Sequence, residues 1–268
     1  MDWKWATTIR GQVPRWAMVA LGAVPILILI GLWFAVTWGR VEDRVISSTI
    51  LPSPTEVLDK LPSLKDRDIG THILASLRRV ALAYLISLLL MLPLGILMGA
   101  FGSFRALFSP MVTAGSYVPL STLVPLTIAW FGTGEKMKIT FLALAYSIFL
   151  LPMIVKAIDS VSDVYLRTAY TLGARRWQVV FRVLVPVALP DLWHAMRLAF
   201  GVGWTYIVLA EVITLEKGLG ALIQITLRRE PREHVYVVIL IITLIAWIVD
   251  FLWGLLGRFL FPYRRTYA

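Results

Sequence analysis

Val164-Tyr165-Leu166-Arg167-Thr168-Ala169-Tyr170-Thr171-Leu172-Gly173-Ala174-Arg175-Arg176-Trp177 is the stretch on which the fold turns. It sits between two long apolar runs, Ile139–Ala157 before it and Leu192–Ile213 after it. With Arg167, Arg175 and Arg176 it is too polar to cross hydrocarbon, where an arginine at mid-depth costs several kcal/mol. It therefore links two spans at a membrane surface. Ser162 or Asp163 can cap the start of a short helix, and Gly173 can end it in a left-handed conformation. A second amphipathic stretch, Gln178–Val185, follows and is closed by Pro186 and Pro190. The small residues Ala169, Gly173 and Ala174 stand beside Leu166, Leu172 and Trp177. A short helix with a small-residue face can seat in a groove on a partner.

Working outward, the flanking runs belong to a set of six. The others are Ala17–Trp38, Ile73–Ala100, Leu107–Phe131 and Val235–Arg258. Each approaches or exceeds the roughly 20 apolar residues that a spanning helix needs. The bulk numbers agree: 59% of the 268 residues are hydrophobic and 16% charged. The mean hydropathy is +0.78. A soluble domain of this size has no interior large enough for that much apolar surface. The expected class is an all-α integral membrane protein with about six transmembrane helices. It divides into an N-terminus (1–16), a first anchor helix (17–38), an external loop with an interfacial helix (39–71), a five-helix core (72–258, with the linking loop at 159–190) and a basic tail (259–268). The first run is too long for the apolar part of a signal peptide and no small-residue cleavage site ends it, so it reads as an uncleaved anchor.

Charge gives the orientation weakly. Basic residues divide almost evenly between the two sides, whereas the acidic ones gather on the side away from the N-terminus. Basic residues carry the positive-inside rule and acidic ones contribute little. The basic ends, with Lys4, Arg10, Arg264 and Arg265, place both termini in the cytoplasm. The net charge of +10 lies mostly between apolar spans. Anionic lipid headgroups suit it better than nucleic acid, since no polar surface interleaves aromatic and basic residues.

Several residues stand out within this frame. In Leu51-Pro52-Ser53-Pro54-Thr55-Glu56, Ser53 or Thr55 can cap a short interfacial helix with a proline in its first turn. The third span holds Pro110, Pro119 and Pro125, so it is expected to be kinked and to face other helices or a cavity. Ionisable groups at membrane depth are functional candidates by default, and these are Arg197, Glu211 and Asp250. Arg197 is expected to snorkel to the near surface, and Asp250 to pair with Arg258 or Arg197. Glu211 is the strongest candidate, as a gate or scaffold partner rather than a ligand, because a carboxylate repels an anion. Its replacement by glutamine is expected to reduce activity and leave assembly intact. Arg78 and Arg79 either attract an anion on the outer side or snorkel. Tyr117, Ser121, Thr122, Trp204 and Tyr206 either line a pathway or belong to packing and the interfacial belt.

The absences exclude whole classes. There is no cysteine, so there is no disulfide and no thiolate site. The three histidines, His72, His194 and His234, fall at no metal-binding spacing. No Ser/His/Asp constellation points to hydrolysis, and no catalytic or metal residue is assigned. Gly132-Thr133-Gly134-Glu135-Lys136 is not a phosphate-binding loop.

The segment 167–190 resembles the cytoplasmic EAA loop of binding-protein-dependent ABC importer permeases. That pattern is roughly E-A-A-x-x-x-G followed by I/V-x-x-P. Here it reads Arg167-Thr168-Ala169-Tyr170-Thr171-Leu172-Gly173, then Val183-Leu184-Val185-Pro186. The third position, the glycine and the proline match, while Arg167 and Thr168 depart from Glu and Ala. Leu51-Pro52-Ser53-Pro54, Ser76-Leu77-Arg78-Arg79-Val80, Trp130-Phe131-Gly132, Ala210-Glu211 and Gly218-Leu219-Gly220 are similar to the nitrate/sulfonate/taurine/bicarbonate group of those permeases.

The resemblance implies a type I ABC importer permease fold with a cytoplasmic coupling helix in a bacterial inner membrane. Leu166, Arg167, Thr168, Ala169, Leu172, Gly173, Ala174 and Arg175 would couple to the ATPase. It further implies a homodimer with the pathway between the copies. Two ATPase subunits carry ATP and Mg, and an external binding protein delivers a small anionic solute. This chain binds no cofactor of its own. The competing class is an ATPase-independent secondary transporter or channel, for which an internal repeat between 1–134 and 135–268 is expected and none is found.

Overall fold

The computed structural model describes residues 8–9, 13–40, 44–62, 68–213, 216–229 and 231–263. The basic ends with Lys4, Arg10, Arg264 and Arg265 lie outside them. Every regular element among the described residues is helical: α1 (Arg15–Val36), α2 (Pro54–Asp59), α3 (Ile69–Ala100), α4 (Gly102–Ser116), α5 (Leu120–Phe131), α6 (Glu135–Asp159), α7 (Asp163–Thr171), α8 (Arg176–Val179), a π-helical stretch (Val180–Leu184), α9 (Val185–Val212), α10 (Leu219–Arg229) and α11 (Glu233–Leu260). Five helices are long and apolar enough to cross a membrane, or six crossings result if the bent pair α4–α5 counts as one span.

The anchor α1 shows its apolar side chains outward on nearly every face, as a helix surrounded by lipid does. Its Trp33 ties it to the rest: Nε1 donates to Pro52 O at 2.9 Å, and the indole lies 6.5 Å from the Tyr236 ring. Beyond it, Ser53 caps α2 through a capping box with Glu56, and Pro54 fills the first helical position.

The core is built where α3, α6 and α9 cross. In lipid, helices associate through close packing rather than through exclusion of water, so small residues mark the contact. Gly95-Ile96-Leu97-Met98-Gly99 supplies one. A Cβ on Gly95 would stand 2.5 Å from Ile154 Cγ2, and one on Gly99 2.5 Å from Ile158 Cβ. The two isoleucines lie four apart on α6 and fill the notches that the two glycines leave. Ser87 and Ser147 add a hydrogen bond of 2.9 Å between the same helices.

Two expectations need correction. The third span is two helices bent by 101°, not one kinked helix. Pro110 and Pro125 stay inside α4 and α5, while the break falls at Tyr117–Pro119. Pro119 bars the helical conformation to Val118 and offers no N–H. Nor do Pro186 and Pro190 close the segment that follows Gly173. The chain runs helically from Arg176 to Val212. The π stretch widens the turn ahead of Pro186, so that Val185 N–H bonds to Val180 O. The surface segment is thus the foot of a spanning helix and not a separate connector.

Candidate functional site

The surface helix α7 forms as its residues dictate. Ser162 Oγ accepts from Val164 N–H at 3.4 Å, and Asp163 stands in the first turn, where a negative charge suits the helix dipole. At the other end Gly173 takes φ +81°. Its N–H bonds to Tyr170 O at 2.9 Å, and Ala174 N–H bonds to Ala169 O at 3.0 Å, a Schellman motif. Arg175 N–H then donates to Gln178 Oε1 at 2.8 Å and opens the next helix.

Of the three small residues, the two alanines do not face outward as expected. Ala169 is buried where α7 lies against the π stretch, and Ala174 is half-buried. A methyl group is what lets α7 sit close to its own chain. Val164, Tyr165, Tyr170 and Leu172 make the exposed apolar surface, with Leu172 82% exposed. Arg167, Thr168, Gly173 and Arg175 are exposed beside them, and Leu166 is half-buried. So α7 offers large apolar side chains ringed by polar ones.

At the opposite end of the bundle, Glu211 is fully buried. Its carboxylate accepts from Ser76 Oγ at 2.8 and 2.9 Å, from Arg79 Nη1 at 2.6 Å and from Gly220 N–H at 2.9 Å. Arg79 also donates from Nη1 to Lys217 O at 2.6 Å and from Nε to Glu135 Oε2 at 2.8 Å. Lys138, its side chain buried, reaches Glu216 at 2.7 Å. The 216–220 loop is thereby fastened to α3, α6 and α9. With three donors on its two oxygens the buried carboxylate is well satisfied and acts as a structural partner.

This geometry separates residues that the sequence reading joined. Arg79 neither snorkels nor meets solvent; it is the cation of the buried pair. Arg78, one residue on, is exposed at an open recess of about 510 Å³ with Glu216 and Lys217. Helical periodicity puts His72, Ser76 and Arg79 on one face and Arg78 off it, and that spacing could have found the cluster. His72 Nδ1 meets the backbone of Gly218, accepting from its N–H at 3.0 Å in one tautomer. Arg197 is the partner of Asp250, with Nε and Nη2 bonding both carboxylate oxygens at 2.7 and 2.6 Å, one of the two expected pairings. Of the remaining candidates, Tyr117 (82% exposed), Ser121 and Thr122 come together at the α4–α5 bend. Trp204 is buried in the core, and Tyr206 stacks on Phe149 at 6.2 Å.

Residues 91–262 match the family described as binding-protein-dependent transport system inner membrane component. The chain belongs to that family. The taurine transport system permease protein of Escherichia coli (strain K12) is 31% identical over 98% of this chain and 94% of its own length. The putative aliphatic sulfonates transport permease protein of Bacillus subtilis (strain 168) is 29% identical over 83% of this chain and 81% of its own. Among solved structures, the MetNI methionine ABC transporter in an inward facing conformation aligns at a TM-score of 0.64 with 18% identity, over 71% of this chain and 94% of that one. An amino acid ABC transporter aligns at 0.61 with 19% identity, over 76% and 98%. These two share the fold. The protein is therefore a multi-pass ABC importer permease subunit, a transport component and not an enzyme. The family description also makes it part of a binding-protein-dependent system.

Proposed function

We propose that two copies of this permease form the pathway through which an ATP-driven importer carries a small organic or inorganic anion of the sulfonate and taurine class. An ATPase subunit receives α7 on each copy, and a binding protein delivers the solute on the far side. The observation that carries this reading is α7 itself, a rigid polar helix with an exposed apolar crest of Tyr165, Tyr170 and Leu172. It stands on the foot of a 37-residue helix that runs to the far side of the bundle. A push on α7 thus moves a spanning helix directly.

The termini are placed in the cytoplasm, with α7 on the same side because an even number of crossings separates α7 from the C-terminus. ATP and Mg belong to the ATPase, and this chain holds neither. The solute class rests on the relatives named for taurine and aliphatic sulfonates, and on the near full-length match to the first. Tyr117, Ser121 and Thr122, exposed at the bend, are the side chains offered to the pathway.

Purification of the tagged permease from native membranes, with partners identified by mass spectrometry, tests this. A stoichiometric ATPase subunit is expected. Isolation of the permease alone in several mild detergents would overturn the ATP-coupled mechanism.

A further inference from the structure

Beside α7, the end of α6 and the start of α9 do not close on each other. Lys156, Ala157 and Ser160 recur at helical spacing on one side, and Asp191, His194 and Ala195 on the other. Between them lies a cavity of about 350 Å³. Small-ligand pockets occupy about 300–1,000 Å³. Ala157 and Ala195 are 6% and 5% exposed, so the space exists because both side chains stop at a methyl group. The two helices run in opposite directions, with Tyr146 beside Phe200 and Ser160 beside Asp191, and this layers the polar groups. Ser160 Oγ stands 3.2 Å from Asp191 Oδ2 and sets that pair at the mouth, next to α7. Lys156 and His194 come one turn deeper, about 5 Å along the axis. Met153 and Leu198 line the inner end. Lys156 is exposed and forms no ion pair among the described residues, whereas the neighbouring Arg105–Asp159 and Arg197–Asp250 pairs are closed.

We infer that this cavity binds a small zwitterion, an amino sulfonate or amino acid, with its anionic end on Lys156 and His194 and its ammonium on Asp191. The placement of the charges selects the ligand. A simple anion that reached Lys156 would also meet the Asp191 carboxylate, and a simple cation on Asp191 would meet Lys156. A molecule carrying both charges about one helical turn apart satisfies the two ends at once. Lysine supplies a point charge on a flexible stem, which reaches a sulfonate or a carboxylate equally well. Met153 and Leu198 offer an apolar surface to the methylene groups between the charges. The mouth opens beside α7, so the site takes solute at that end of the bundle and not at the end fastened by Glu211. The inference rests on the proposed sulfonate and taurine class of solute and narrows it to the zwitterionic members.

The test measures equilibrium binding of radiolabelled taurine to the solubilised permease together with the subunits that co-purify, with ethanesulfonate and β-alanine as competitors. Saturable binding of one taurine per chain is expected. Ethanesulfonate, which lacks the ammonium, should compete at least about tenfold more weakly, because a hydrogen bond between charged groups is lost. Lys156→Gln and Asp191→Asn should each weaken taurine by at least about tenfold, and only the first should also weaken ethanesulfonate. Ala195→Leu fills the space without altering a charge and should abolish binding. Lys156→Gln changes an exposed side chain with no ion pair, so it decides the question even if Ala195→Leu fails to fold. Undiminished taurine binding in Lys156→Gln overturns the site, as does the absence of binding of either zwitterion to the parent chain. Equal competition by ethanesulfonate overturns the zwitterion. Binding of β-alanine but not of taurine, lost in Lys156→Gln, supports the site and overturns the sulfonate reading.

Discussion

Two residues bear the most specific chemistry, and they do so in opposite ways. Gly173 is exposed and has no neighbour that a side chain would strike; its requirement is the backbone angle of +81°. A β-branched residue there costs about 1–2 kcal/mol and unpicks the Schellman bonds. Gly173→Val is therefore expected to leave the permease in the membrane while sharply lowering the ATPase recovered with it, which quantitative immunoblotting of the purified complex measures. Glu211 is the reverse case, buried and held by three donors. Breaking a buried pair typically costs about 3–5 kcal/mol, and Glu135 beside Arg79 softens this. Glu211→Gln should thus lower thermal stability in detergent and the yield of folded permease. The expectation of intact assembly gives way to this, since the carboxylate closes the 216–220 loop onto α3. The paired replacement Arg79→Met with Glu211→Met should recover part of the loss. A melting temperature unchanged in the single variant would contradict the assignment. The sequence marked Glu211 as unusual because a carboxylate within a span is costly. It could not show the partners, since Ser76 and Arg79 lie about 130 positions away and meet it only through packing.

At the scale of the element, caps and turns follow local chemistry, whereas bends and helix contacts depend on partners distant in sequence. Ser53, Ser162 and Gly173 do as caps what their chemistry favours. The bend at Pro119 and the straight passage through Pro186 and Pro190 differ for a reason that residue type alone does not carry. Pro110 and Pro125 ride inside helices and Pro186 follows a π turn, whereas the chain bends ahead of Pro119. The Gly95–Gly99 notch went unremarked because glycines four apart are informative only once the opposing helix is known. Gly99→Leu should push Ile158 aside and separate α3 from α6, with about 1–3 kcal/mol lost to overpacking, read as a lower unfolding temperature. The capping helix α2 gives a pH prediction. Hydrogen bonds from the Arg44 guanidinium, aided by Ser53, hold the Glu56 carboxyl at about 2. A carboxyl with a depressed folded value contributes stability that is fully present above its ordinary value near 4.5 and lost as the pH falls toward 2. Amide exchange in residues 53–60 should therefore be well protected at pH 7 and markedly less so at pH 3, after correction for intrinsic rates. Equal protection at both would show that the Arg44–Glu56 bridge does not hold this cap.

At the scale of the whole molecule, the bundle is fastened at the end away from α7 by the Glu211–Arg79–Glu135–Lys138–Glu216 chain. Force entering at α7 therefore has a defined route. The apolar spans, the polar interruption and the family pattern were all legible in the sequence, because hydropathy and spacing write them directly. The inward turn of Ala169 was not, because an alanine on a helix faces its own fold or a partner with equal ease. The central claim is that α7 is the contact with the ATPase, and the absence of cysteine makes it directly testable. Single cysteines placed at exposed Thr168 and Leu172, and at Leu74 at the opposite end, give unique attachment points for a photo-activated cross-linker in native membranes. An adduct with the ATPase subunit is expected from Thr168→Cys and Leu172→Cys and none from Leu74→Cys. No adduct from either α7 position, or one from Leu74→Cys alone, would contradict it.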